Sequence, residues 1–306
     1  MSAYCDTGHR CGQAQPAVTP FTRFIAIDWS GAKGERHASI AVAACRLGGG
    51  APALIEPPPS ATAPAAAAQR WSRAGVLDWL QDIAARGERA LVGFDFSFGL
   101  PHADTGAFFP GDADNPANTR ELWREVDAVA DPHLEAHSYI DRRRRHYWLG
   151  RADGNKAVRA RLREVERVWA AKKLGAASSV FALLGAAQCG KASLSGMRLL
   201  NRLALPVWPF DPVPKHGALV VEIYCRTFAA DGGVRGKIRD RATLDAALAR
   251  LGSTPATVPA TFSDHVGDAL VSAAGMRRAA ADLAYWLPPG LTPALAQTEG
   301  WTFGVA

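Results

Sequence analysis

Five carboxylates carry most of the chemistry that this chain offers. Asp28 closes the apolar run Phe24-Ile-Ala-Ile, Asp95 closes Leu91-Val-Gly-Phe, and Glu222 ends Ala218-Leu-Val-Val. Asp264 and Asp268 lie four residues apart, which puts both on one face of a helix. An acid in an apolar strand must be hydrogen-bonded, paired with a cation or bound to a metal. Acids that converge repel one another, and a hard divalent cation relieves that repulsion. Mg2+ takes a few carboxylates together with water and phosphate oxygens, and two such ions about 4 Å apart serve phosphodiester hydrolysis. Metal-dependent hydrolysis with Mg2+ or Mn2+ is therefore the chemistry expected of this set. Taken singly, each acid also has a structural role open to it. Asp28 would cap the turn Trp29–Ala32, Asp95 would start the turn toward Pro101, and Asp264 would complement the positive end of a helix. The small turn Ser30-Gly31-Ala32 is expected to leave room for metal, water and phosphate beside the strand end, with Ser30 as a substrate contact.

The elements that must hold these acids are legible from periodicity. Phe24–Asp28 reads as a strand and His37–Cys45 as its hairpin partner, with a short edge strand near Leu54–Ile55. Residues 69–87 place Trp71, Val76, Leu77, Leu80 and Ile83 at helical spacing, with Gly87 as the stop. Strands follow at 91–95 and 218–224, and Ser263 is placed to cap a helix running from Asp264 to about Leu287. Strands alternating with helices predict an α/β sheet. The intervening residues, about 102–215, read as a mostly helical insertion with loops at "FFPGDADNPANT" and "PVWPFDPVPK".

Composition narrows the class. Of 306 residues, 48% are hydrophobic and 21% charged, which argues against global disorder. No apolar run is long enough for a membrane span. Residues 1–22 lack a basic region followed by an apolar core, so they read as a polar, disordered leader rather than a secretory signal. Cys5, Cys11, Cys45, Cys189 and Cys225 form no C-x-x-C pair, which fits a reduced, cytoplasmic protein without a zinc site.

The net charge of +6 is compatible with a polyanionic partner. Arg142, Arg143, Arg144 and Arg145 are consecutive, with Tyr147, Trp148 and Trp169 nearby. Guanidinium groups among aromatic faces suit a nucleic-acid groove, and a solvated charged face is the alternative. Gly185-Ala-Ala-Gln-Cys-Gly-Lys-Ala192 satisfies G-x-x-x-x-G-K but ends in alanine where a P-loop needs a hydroxyl for Mg2+, which argues against a P-loop NTPase. Gln188, Lys191 and Ser193 remain candidates for gripping a substrate phosphate. Ser97 does not sit in a G-x-S-x-G elbow, and His265 is expected to point away from the acidic face.

The order hairpin with acid, helix, strand with acid and closing helix "SDHVGDALVSA" resembles the ribonuclease-H-like fold. In that fold, acids on the first strand, the fourth strand and the last helix build a two-metal site. "AIDWSGA", "GFDFSFGLP", "SVFALLGAAQCGKASLSGMRLL", "VWPFDP", "VVEIYCRTF", "DHVGDALVSA" and "EGWTFGV" together resemble a bacterial family catalogued as domain of unknown function 429. The resemblance spans residues 23–306, and the family is described as predicted ribonuclease-H-like nucleases. It implies a mixed sheet flanked by helices, a carboxylate metal site of Asp28, Asp95, Glu222 and Asp268 with Asp264 as a fifth ligand, and a nucleic-acid substrate. Cys225 departs from the family, which more often has proline there; this affects the turn rather than the acids. Two other readings stay open. Actin-like phosphotransferases share the core fold and would hold nucleotide phosphates at "DWSGAKG", although a single hairpin without a duplicated core argues against them. The protein would otherwise bind nucleic acid without cutting it.

Overall fold

A computed structural model describes residues 20–59, 64–150, 157, 160–172, 177–184 and 189–306. Residues 1–19, with Cys5 and Cys11, lie outside the described residues, and so does Gln188. The strands are β1 (Arg23–Asp28), β2 (Arg36–His37), β3 (Ala41–Arg46), β4 (Ala53–Leu54), β5 (Trp71–Ser72), β6 (Ala90–Asp95), β7 (Val207–Trp208) and β8 (Leu219–Glu222). The helices are α1 (Ala65–Ala68), α2 (Arg73–Ala85), α3 (Thr119–Asp127), α4 (His137–Arg142), α5 (Glu164–Ala171) and α6 (Gly190–Arg202). They continue with α7 (Cys225–Asp231), α8 (Arg241–Arg250), α9 (Asp264–Ala279), α10 (Leu283–Trp286) and α11 (Pro293–Thr298). The fold is α/β, with a mixed six-stranded sheet in the order β4-β3-β1-β6-β8-β7. The pairs β1–β3 and β3–β4 are antiparallel, whereas β1–β6, β6–β8 and β8–β7 are parallel.

Strand β1 is central and apolar on both faces, so its alternate residues feed two cores. Ile25 and Ile27 join Val92 and Phe94 under Val76 and Leu80 of α2 and Leu194 and Met197 of α6. Phe24 and Ala26 join Leu91 and Val221 on the other face, under Phe228 of α7 and Leu270 and Ala274 of α9. Gly93 lets α9 lie close to the sheet, because a Cβ there would come 2.6 Å from Met276 Sδ and 2.7 Å from Ile223. Among the described residues no helix is long and apolar enough to cross a membrane.

Two expectations need correction, and the segment expected as an insertion packs on the sheet. The partner strand is interrupted: Arg36–His37 pairs with Trp71–Ser72 in a separate two-stranded sheet, and β3 begins only at Ala41. The break coincides with a hydrogen bond from Ser39 Oγ to Ser30 Oγ (2.7 Å), which draws the hairpin ends together. The last helix stops at Ala279, and Asp282 caps the short α10 through Ala284 N (2.9 Å). Finally, the segment 102–215 is built into the sheet layers. Its helix α6 shares a core with β1 and β6, and its strand β7 pairs with β8, Val207 opposite Val220.

Candidate active site

Parallel pairing of β1 and β6 sets Asp28 and Asp95 opposite each other at the ends of adjacent strands. Helix α9, started by the Ser263 cap, brings Asp264, His265 and Asp268 over the same ends. All five line one cavity of about 460 Å³. His265 Nδ1 lies 2.8 Å from Asp28 Oδ2, so the ring fixes the carboxylate rather than pointing away from it. The expectation overlooked that His265 and Asp268 are three residues apart and so share a helix face. The backbone N–H of Cys225, first residue of α7, donates to Asp95 Oδ1 (3.3 Å). Asp264 is held by Lys237 and, at 3.4 Å, by Arg239.

These positions set the electrostatics. Burial pushes Asp95 up to about 8, with the adjacent Asp28 as the next cause. Asp268 is pushed up to about 6 by burial and then by Asp28 and Asp264. Burial also raises Asp28, against the lowering effect of His265. The hydrogen bond to Asp28 raises His265, and Lys237 lowers Asp264. Asp95 in particular is shifted toward its protonated form at neutral pH.

Glu222 lines the same cavity, but its carboxylate is already engaged. Its two oxygens accept from Arg163 Nη1 (2.8 Å) and Nη2 (2.6 Å), from Phe98 N (2.6 Å) and from Thr302 Oγ1 (2.5 Å). Arg163 is buried as well and also binds Glu166 (3.0 Å) and the Glu299 carbonyl (3.0 Å). A carboxylate with four donors has little capacity left for a cation. Arg163, 59 residues away in sequence, gave no local signal of this partnership.

The expected phosphate contacts fare differently from the acids. Ser30 is buried in its turn, accepting from Ser39 Oγ and, at 3.3 Å, from Ala32 N. On the Gly31 side the turn is filled by α6, because a Cβ on Gly31 would overlap the backbone of Ala192 and Lys191, and the open space lies beside Asp28 and Trp29 instead. Ser193 is buried, accepting from Ser97 N (3.0 Å) and donating to the Cys189 carbonyl (3.0 Å). Lys191 lines a separate crevice of about 10 Å³, room for no more than about one water. The arginine run meets acids from residues 112–125. Buried Arg143 binds Glu125 (2.5 Å), Asp112 (2.7 Å) and Asp114 (2.8 Å); Arg145 pairs with Asp112 and Arg142 with Asp114 (3.1 Å). Arg144 donates to the Tyr147 carbonyl (3.0 Å), while Tyr147 and Trp169 are core residues. None of Arg142, Arg143, Arg144 and Arg145 lines the cavity.

The cations that do line it are Arg163, Arg226 and Lys237, with Tyr224 beside them; Tyr224 and Arg226 fall within "VVEIYCRTF", where only Glu222 was expected at the site. Arg226 donates to the carbonyls of Gly236 (2.9 Å) and Arg235, and among the described residues no carboxylate pairs with it. As they stand, no three Asp, Glu, His or Cys groups among the described residues converge as a ready-made metal site. The donor chemistry nevertheless fits a hard cation. Asp28, Asp95 and Asp268 are oxygen donors held in mutual repulsion, and Mg2+ uses one or two carboxylates with water completing its shell. Comparisons of the chain with protein-family models, curated proteins and solved structures found no match.

Proposed function

We propose that this protein is a metal-dependent phosphodiesterase acting on nucleic acid, built on a ribonuclease-H-like sheet. The observation that carries the reading is the meeting of Asp28 and Asp95 on adjacent parallel strands with Asp268 from α9 in one cavity. The strand order β4-β3-β1-β6-β8, with the antiparallel pairs on one side and the parallel pairs on the other, supports the fold assignment. So does the closing helix that brings the third acid. The resemblance to domain of unknown function 429 belongs to the same proposal.

When bound, Mg2+ or Mn2+ supplies the charge that activates water and stabilises the leaving oxygen. Asp28, Asp95 and Asp268 are the residues that would hold it. His265 fixes Asp28 through Oδ2 and so orients one of its oxygens. Asp264 acts through Lys237, holding that cation at the cavity, and is paired with Arg239 as well. Arg226, with no carboxylate partner among the described residues, is the anchor for a substrate phosphate. Glu222 and Arg163 form the floor beneath them.

The test is cleavage of labelled DNA and RNA panels with Mg2+ or Mn2+ by wild type, Asp28→Asn and Asp268→Asn. Metal-dependent cleavage lost in both variants is expected. Cleavage that survives both substitutions would refute the mechanism.

A further inference from the structure

Tyr224, Cys225 and Arg226 are consecutive, and all three face the cavity. Tyr224 presents an aromatic ring, the Cys225 amide holds Asp95, and Arg226 presents a guanidinium without a carboxylate partner among the described residues. Tyr224 is 38% exposed, yet its ring is not loose. It stands edge-on to Trp169, with ring centroids 4.9 Å apart and planes at 65°. Trp169 is itself buried and anchored by its indole N–H to Thr227 Oγ1 (3.1 Å). An aromatic face held in place and open to a cavity is ready to stack on a planar group with little loss of side-chain freedom.

Building on the hydrolytic reading above, we infer that the site accepts an unpaired nucleotide of a single strand, with its base stacked on Tyr224 and its phosphate between Arg226 and the carboxylates. The cavity size agrees. About 460 Å³ falls in the range of small-molecule sites, roughly 300–1,000 Å³, and is large enough for one nucleotide. Stacking is tolerant of base identity, since every base has a π-face, so selection is for strandedness rather than sequence.

Binding is measured with phosphorothioate-linked oligonucleotides that resist turnover, in the presence of Mn2+, using a 2-aminopurine at one end as the fluorescent base. Single strands are expected to bind more tightly than blunt duplexes, with the 2-aminopurine quenched. Tyr224→Ala should weaken single-strand binding about 5- to 150-fold, and Tyr224→Phe should retain it within about twofold. An abasic end should weaken binding to wild-type protein as much as Tyr224→Ala does, which keeps the test independent of any folding defect. Equal affinity for blunt duplex and single strand, indifference to the abasic end, or no binding of any oligonucleotide would overturn the inference. Normal, Tyr224-dependent binding without cleavage of unmodified strands would instead overturn the hydrolytic reading and leave this one standing.

Discussion

Replacing Asp95 with asparagine should make the metal-free protein more stable. Asp95 faces Asp28 across the β1–β6 pair, and burial with this neighbour raises it from 3.8 to about 8. The folded protein therefore binds that proton more tightly than the unfolded chain. Below about pH 4 both states are protonated and the acid costs nothing. As pH rises from 4 toward 8 the unfolded chain ionises freely while the folded site resists, so stability is lost across this window. The full shift sets a ceiling of roughly 6 kcal/mol at pH 8. Water entry and relaxation around a cavity-facing acid reduce this by half or more. Asparagine keeps an acceptor for the Cys225 amide, so about 2–3 kcal/mol of stabilisation at pH 8 is expected. That corresponds to about 3–5 °C in Tm for a chain of this length, against a few tenths to about 1 kcal/mol at pH 5. Thermal melts at both pH values, with EDTA and with Mn2+, test this directly. Mn2+ should close the gap by stabilising wild type alone, by about 2.7 kcal/mol at a hundredfold excess over Kd. An Asp95→Asn protein that is less stable at pH 8, or a difference that does not grow with pH, would show that Asp95 is a structural acid.

Metal binding should release protons: affinity for Mn2+ is expected to rise from pH 6 to 8 as Asp268 and Asp95 ionise, and calorimetry in buffers of different ionisation heats reads the proton count. His265→Ala should weaken Mn2+ binding about 10- to 100-fold while leaving the melting curve nearly unchanged, because the ring is partly exposed and its partner is Asp28. Arg163→Met should cost about 3–5 kcal/mol in denaturant titration by leaving Glu222 and Glu166 unpaired in the interior, and Arg163→Met with Glu222→Gln should recover part of that loss. Arg143→Ala should lower stability without changing oligonucleotide affinity, whereas Arg226→Ala should lower affinity and reduce the salt dependence of binding by about one phosphate.

The strands and their acids could be read from sequence because they depend on short-range patterns. A buried strand that ends in Asp announces itself in five or six residues, as Phe24–Asp28 and Leu91–Asp95 do. The charge pairs could not. Arg163 meets Glu222 across 59 residues and Arg143 meets Asp112 across 31, so buried salt bridges looked like free acid in one place and a free basic run in another. Two-residue strands such as β7 carry too few side chains for any period and are set by pairing alone. Gly31 shows the same limit: a glycine in a turn reads as open space for a ligand, yet here it admits the backbone of α6.

The guanidinium of Arg163 has one further consequence. It reaches from the segment 102–215 to Glu222 on the sheet and to the carbonyl of Glu299, whose own carboxylate accepts from His102 N and Ala103 N (2.7 Å each) and Glu164 N (2.7 Å). Three stretches distant in sequence are thus keyed together at one charged point beneath the acids. Separating any one of them would strand an ion in an apolar interior. The segment cannot be trimmed away to give a minimal enzyme of sheet and closing helix, and the cavity cannot open by swinging it aside. Engineering for new substrates therefore belongs at Tyr224, Arg226 and Lys237, which line the cavity, rather than at Glu222 and Arg163.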